Sequence, residues 1–152
     1  MRIGIPKEQK TLEGRVGLIP GACAELVAAG HEVFVETSAG VLSGFGDDAF
    51  RAVSATICSS AQEVYDNAEL IVKIKEPQPQ ELSSFSADHT LFCFLHLAAE
   101  PKLLNALVDI GLTAVGFETV EVNGGLPLLA PMSAIAGRIA VQQGTVLLHQ
   151  PA

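Results

Sequence analysis

The sequence predicts an α/β protein: a mainly parallel sheet with helices on both faces, flavodoxin-like or Rossmann-like, with a β-hairpin and a long C-terminal helix added. Two observations predict it. Short apolar runs of strand length alternate with amphipathic stretches of helix length as far as Phe117, the signature of a parallel sheet covered on both sides. Glycines stand directly after two of the helical stretches, at Gly30 and Gly111, where a chain leaving a helix favours them. A chain of 152 residues that is 49% hydrophobic is long enough and apolar enough for one domain with a core.

The elements follow in order. Residues 2–6 (RIGIP) form a short strand, and KEQKTLEGR is the polar loop that leaves it. Residues 22–29 (ACAELVAA) have helical periodicity, 32–36 (EVFVE) alternate as a strand, and 38–46 (SAGVLSGFG) form a glycine-rich loop. A short helix is expected over 47–52, a strand over 55–58, and a helix over 60–67 with Ser60 as its cap. The run LIVKIKEP places a strand at 69–75, and a polar connection covers 78–86. TLFCFL at 90–95 is the most apolar strand, followed by a helix over 102–110 and a strand over 113–117. Asn123-Gly124 marks a hairpin within 120–129. Ser133 is expected to cap the last helix, which runs to about His149. The sequence shows no internal repeat and no low-complexity segment.

Composition excludes several classes of function. A net charge of −8 argues against nucleic acid, whose phosphates call for a basic face. The first apolar stretch breaks at Pro6-Lys7, so it does not resemble a signal peptide, and no apolar run is long enough to span a membrane. Cys23, Cys58 and Cys93 lie far apart and fit neither a metal site nor a disulfide framework, so they read as reduced core residues of a cytoplasmic protein. Asp47-Asp48 and the scattered glutamates lack metal-ligand spacing, and no metal is expected. The glycine-rich loop lacks both the GxGxxG order and a Walker lysine.

Function is carried by charges at the ends of strands. Side chains alternate along a strand, so Ile71, Lys73 and Lys75 share one face. A mid-strand ammonium inside a covered sheet is costly, whereas one at the carboxyl end opens into the crevice where such sheets bind ligands. Lys75 holds that position, just before Glu76-Pro77. Lys73, one pleat deeper, either snorkels to the same rim or faces water from an edge strand. His96 follows TLFCFL, Glu118 follows TAVGF, and Arg15 lies in the loop after the first strand. Taken singly, His96 is a structural hydrogen-bonder, Glu118 a solvated carboxylate and Arg15 a surface charge. In parallel strands all of these groups meet on one rim, where Arg15, Lys75 and His96 form a cationic pocket for a small carboxylate. A histidine there can supply a proton to a carbonyl becoming an alcohol or amine.

RIGIPKEQKTLEGRVGLIP, LIVKIKEP, LFCFLHLAAEP and ETV followed by LPLLAPMS closely resemble the amino-terminal part of bacterial alanine dehydrogenases. The same fold is shared by the NAD-binding subunit of proton-translocating transhydrogenase, but the KIKEP and FLHLA segments are more like alanine dehydrogenase. The resemblance implies NAD-linked interconversion of L-alanine with pyruvate and ammonia. It implies that Arg15 and Lys75 bind the pyruvate carboxylate or carbonyl oxygen, and that His96 is the acid/base group or its electrostatic partner. Met132 and Ser133 then line the cleft near the nicotinamide, and Glu118 is a supporting residue. Ala134 departs from the family's usual glutamate, and no GxGxxG fingerprint occurs in these residues. The expectation is therefore a substrate-binding domain at 1–131 and an interdomain or dimerisation helix at 132–152. On this reading the chain is truncated before the NAD-binding domain, is inactive alone, and forms a homo-oligomer, dimeric through its C-terminal helix. Two alternatives stay open: a non-catalytic module for small carboxylates or for assembly, and a fragment of a transhydrogenase NAD-binding subunit.

Overall fold

The computed structural model describes residues 1–149, and the chain divides into two compact units, Met1–Gly116 and Phe117–Ala152. The first unit holds a six-stranded sheet in which every strand pair is parallel: β1 (Arg2–Ile5), β2 (Glu32–Glu36), β3 (Thr56–Cys58), β4 (Leu70–Val72), β5 (Thr90–Cys93) and β6 (Thr113–Gly116). Their order across the sheet is β3-β2-β1-β4-β5-β6. The winding direction reverses between β1 and β4, which makes their carboxyl ends the switch point of the sheet.

Helices α1 (Pro20–Ala28) and α2 (Asp47–Arg51) pack with Ile5, Val33 and Val35 around Cys23 and Phe50. On the opposite face α3 (Ala61–Asn67) and α4 (Pro101–Ile110) enclose Ile71, Leu91 and Cys93 together with Tyr65 and Leu103. The expected α/β architecture with both faces covered is therefore present. Local signals explain the boundaries. Proline at the first turn starts α1 and α4, the Ser60 hydroxyl accepts the Glu63 N–H to cap α3, and Gly111 ends α4 in the left-handed region at φ 80°. Gly4 lies so tightly under α3 that a Cβ there would sit 2.7 Å from the Cβ of Ala68. Cys23, Cys58 and Cys93 are free and buried, as expected, and burial pushes the Cys23 and Cys58 thiols up to about 11.

Three expectations are corrected. The strand expected over 69–75 ends at Val72, because its neighbour β1 ends at Ile5, and Pro6 cannot continue the pairing with a backbone donor. β4 is a central strand between β1 and β5, so Lys73 does not face water from a sheet edge. The polar connection contains a 3-10 segment, Pro79–Ser84.

In the second unit Phe117–Thr119 forms a 3-10 turn and α5 covers Leu129–Leu148. The expected hairpin is a single antiparallel bridge, Val122 with Gly125, around Asn123 and Gly124 at positive φ. Ser133 is not a cap: α5 begins four residues earlier, because Pro131 falls in its first turn, where no intrahelical donor is required.

Candidate functional site

The site is built where the chain leaves β1 and β4. After Ile5 the loop carrying Glu8, Glu13 and Arg15 runs out and returns toward α1 through Gly17. A Cβ on Gly17 would lie 2.6 Å from the Val72 carbonyl oxygen, so this glycine lets the Arg15 loop pass directly against the end of β4.

Behind the rim lies a buried ion cluster. Lys73 is fully buried, and its Nζ is 2.8 Å from Glu81 Oε1 and 3.5 Å from Glu8 Oε2, in ion-pair contact and without an aligned hydrogen bond. Glu81 also accepts a hydrogen bond from the Tyr65 hydroxyl at 3.1 Å and one from the Gln78 backbone N–H at 2.8 Å. Burial and the adjacent Glu81 carboxylate raise the Tyr65 hydroxyl's pKa, so the phenol stays a donor. Glu8 Oε1 accepts the Ile74 N–H at 2.6 Å, and its Oε2 lies 3.4 Å from the Lys75 nitrogen. Burial raises the Glu8 carboxyl above its ordinary range, against the pull of the Lys73 ammonium and these backbone donors. Neither Glu8 nor Glu81 was among the sequence-predicted site residues. The available signal was an acidic residue just past the first strand and another shortly past LIVKIKEP.

Arg15 is clasped by Glu13. Its Nε lies 2.8 Å from Oε1, its Nη2 2.7 Å from Oε2, and its own backbone N–H donates to Oε1 at 2.9 Å. These hydrogen bonds hold the Glu13 carboxyl below its ordinary range, with a smaller contribution from the Lys75 ammonium. Arg15 in turn feels the Glu8 carboxylate. Glu8, whose Oε2 lies 3.4 Å from the Lys75 backbone nitrogen, lines one cavity with Glu13 and Arg15. The volume of this cavity is about 70 Å³, and Gly14 and Leu42 are also in its walls. The rim is thus not simply cationic: Glu13 pairs with Arg15, and Glu76 pairs with Lys10.

His96 stands on the same edge. Phe94 N–H donates to the Ile74 carbonyl at 3.1 Å, so the chain leaving β5 runs beside the chain that carries Lys75. His96 is exposed, adopts the left-handed conformation at φ 51°, and stacks on Phe94 with ring centroids 6.1 Å apart. Glu118, Met132 and Ser133 belong to the second unit, Glu118 in its 3-10 turn and the other two near the start of α5.

The described residues do not fit a dinucleotide diphosphate. The glycine-rich loop leads into α2, a helix of five residues whose first turn carries Asp47 and Asp48. The Asp47 carboxylate already accepts the Thr37 hydroxyl at 2.6 Å and the Ser38 N–H at 2.7 Å, where a phosphate would have to sit. No helix among the described residues is long and apolar enough to cross a membrane.

Comparison with known proteins gives consistent relatives. Residues 4–136 match the family model described as alanine dehydrogenase/PNT, N-terminal domain. The chain is 48% identical over 151 residues to an alanine dehydrogenase of Bacillus subtilis, covering 99% of this chain and 40% of that protein. It is 50% identical over 151 residues to an alanine dehydrogenase of Halomonas elongata, covering 99% of this chain and 41% of that protein. It thus spans about 40% of the length of these relatives. A solved L-alanine dehydrogenase superposes with a TM-score of 0.89 at 49% identity, covering 95% of this chain and 40% of the other. A transhydrogenase structure from Sinorhizobium meliloti gives 0.73 at 25% identity, covering 78% and 34%.

Proposed function

Because the chain belongs to the family of alanine dehydrogenase/PNT N-terminal domains, we propose that it is the part of an NAD-dependent alanine dehydrogenase that binds pyruvate and L-alanine. The reaction of that enzyme is L-alanine, NAD and water to pyruvate, ammonia and NADH. The reading is supported most by Glu8 at the sheet's switch point, which contacts the Lys75 backbone nitrogen at 3.4 Å and lines one cavity with Glu13 and Arg15, and by the chain leaving β5 toward His96, which runs beside the Lys75 segment. The relatives named as alanine dehydrogenases support the choice of substrate.

In this reading the substrate carboxylate lies against the Arg15 guanidinium, which Glu13 holds in one orientation, and Lys75 donates to the carbonyl oxygen of pyruvate. In the reductive direction ammonia adds to the carbonyl carbon, and the oxygen becomes a hydroxyl on taking a proton from the nitrogen. His96 then gives that hydroxyl the second proton, and it leaves as water while the nitrogen lone pair forms the C=N bond; in the reverse direction His96 takes that proton back. The family resemblance gives Met132 and Ser133 a role near the nicotinamide and Glu118 a supporting role. NAD supplies hydride transfer when bound, and the described residues do not fit its diphosphate. For the same reason the 152-residue polypeptide alone turns over no pyruvate with NADH and ammonium. A second copy of the chain is its partner, paired through α5, and the buried thiols support residence in a reducing cytoplasm.

Calorimetric titration of pyruvate into the chain tests the proposal. Heat of binding is expected from the parent chain and none from Arg15→Ala; a parent chain that gives no heat refutes the reading.

A further inference from the structure

We infer that Glu8 is the positioning residue for Lys75: its carboxylate replaces a missing strand partner and fixes the backbone from which Lys75 reaches the substrate. This rests on the reading of Lys75 as a substrate-binding residue. β4 pairs with β1 at Leu70 with Ile3 and at Ile71 with Gly4, and β1 then ends at Ile5. On its other side β4 keeps its support past its end: Lys73 N–H donates to the Phe92 carbonyl at 3.1 Å, and the Ile74 carbonyl accepts from Phe94. Past the end of β4 the Ile74 N–H turns away from β5, to the side that β1 has vacated. A part-buried amide there needs an acceptor. Glu8 Oε1 supplies it at 2.6 Å, while Oε2 lies 3.4 Å from the Lys75 nitrogen.

The carboxylate is itself held in place. Its side chain is 3% exposed, and Lys73 Nζ, which Glu81 anchors at 2.8 Å, lies 3.5 Å from Oε2. One acidic side chain thus contacts three successive residues, Lys73, Ile74 and Lys75, just where the ladder on that side has stopped. A long, flexible lysine delivers its ammonium accurately only if its backbone is fixed, because a shift of about 1 Å at a reacting group costs on the order of a hundredfold. Burial raises the Glu8 carboxyl, which supports a packed role for this group over a solvated one.

Amide hydrogen exchange, read residue by residue by NMR on the 152-residue chain, is combined with pyruvate titration. In Glu8→Ala the Ile74 and Lys75 amides are expected to exchange about tenfold faster, while the amides of Ile71 and Phe92 keep their protection. Pyruvate affinity is expected to fall about tenfold. Glu8→Gln retains an oxygen for the Ile74 N–H and the side-chain volume, so it remains folded if the alanine variant does not. In that variant Ile74 stays protected, the Lys75 amide alone exchanges faster, and affinity drops only a few-fold. Lys75→Ala abolishes binding but leaves both amides protected. Unchanged Lys75 exchange in Glu8→Gln, or a Glu8→Ala affinity equal to that of a parent chain that binds pyruvate, overturns the positioning role. A parent chain that does not bind pyruvate overturns the substrate reading alone, and the amides of Ile74 and Lys75 still decide the role of Glu8.

Discussion

The Arg15–Glu13 clasp has a pH signature of its own. Glu13 has a lowered carboxyl, so its stabilising contribution is fully present above the ordinary glutamate value of 4.5 and is lost as pH falls through the lowered folded value. Arg15 is about half exposed, with 47% of its side chain accessible, so the effect is modest. Thermal melts from neutral pH downward are expected to show the parent losing stability in this window and Glu13→Gln showing a flatter profile. Equal profiles would remove the clasp as a stabilising element. Arg15, Lys75 and His96 were singled out in the sequence because Lys75 and His96 follow apolar strand runs and Arg15 lies in the loop that leaves the first strand. Their carboxylate partners were not: Glu8 lies 66 and 67 residues from the amides it anchors, and nothing local marks it. Lys73 shows the same limit, since an ammonium within an apolar run reads as strained or solvated until Glu81 and Glu8 are brought to it by the fold.

At the scale of elements, the Lys73–Glu81 contact joins the 3-10 segment Pro79–Ser84 to the end of β4 across the buried Tyr65 hydroxyl. Lys73→Met leaves Glu8 and Glu81, both almost fully buried, without their shared cation, and removing one partner of a buried pair typically costs about 3–5 kcal/mol. Chemical denaturation is expected to show a loss of that size, and Lys73→Met combined with Glu81→Gln is expected to recover part of it. A loss under about 1 kcal/mol would mean that the two carboxylates share a proton without difficulty. Among the described residues, the six strands and five α-helices were readable from apolar periodicity and from glycine, proline and serine punctuation. The length of β4 was not, because alternation continues through Lys75 while the pairing partner that defines a strand has already turned away at Pro6. The start of α5 was missed for a related reason: Ser133 looks like a cap, and only the helical geometry of Pro131 shows the turn before it.

At the scale of the whole molecule, the unsettled surface is α5. Ile135, Ile139 and Val146 are 58%, 49% and 52% exposed, which leaves a spaced apolar stripe interrupted by Gln142. Since a second copy is the proposed partner, sedimentation analysis is expected to show a concentration-dependent dimer, and Ile139→Glu is expected to shift it to monomer at the same concentration. A parent chain that sediments as a monomer at all concentrations would discard that partner.

The order of the strands has a consequence for assembly. β1 and β4 touch in space, yet in the sequence β2 and β3 lie between them and occupy one flank of the sheet, while β4 opens the other. An anion gripped by Arg15 from the first flank and by Lys75 from the second would act as a rivet across the seam. It would bind only after both flanks had closed, and each increment of occupancy would be returned as resistance of the entire sheet to coming apart.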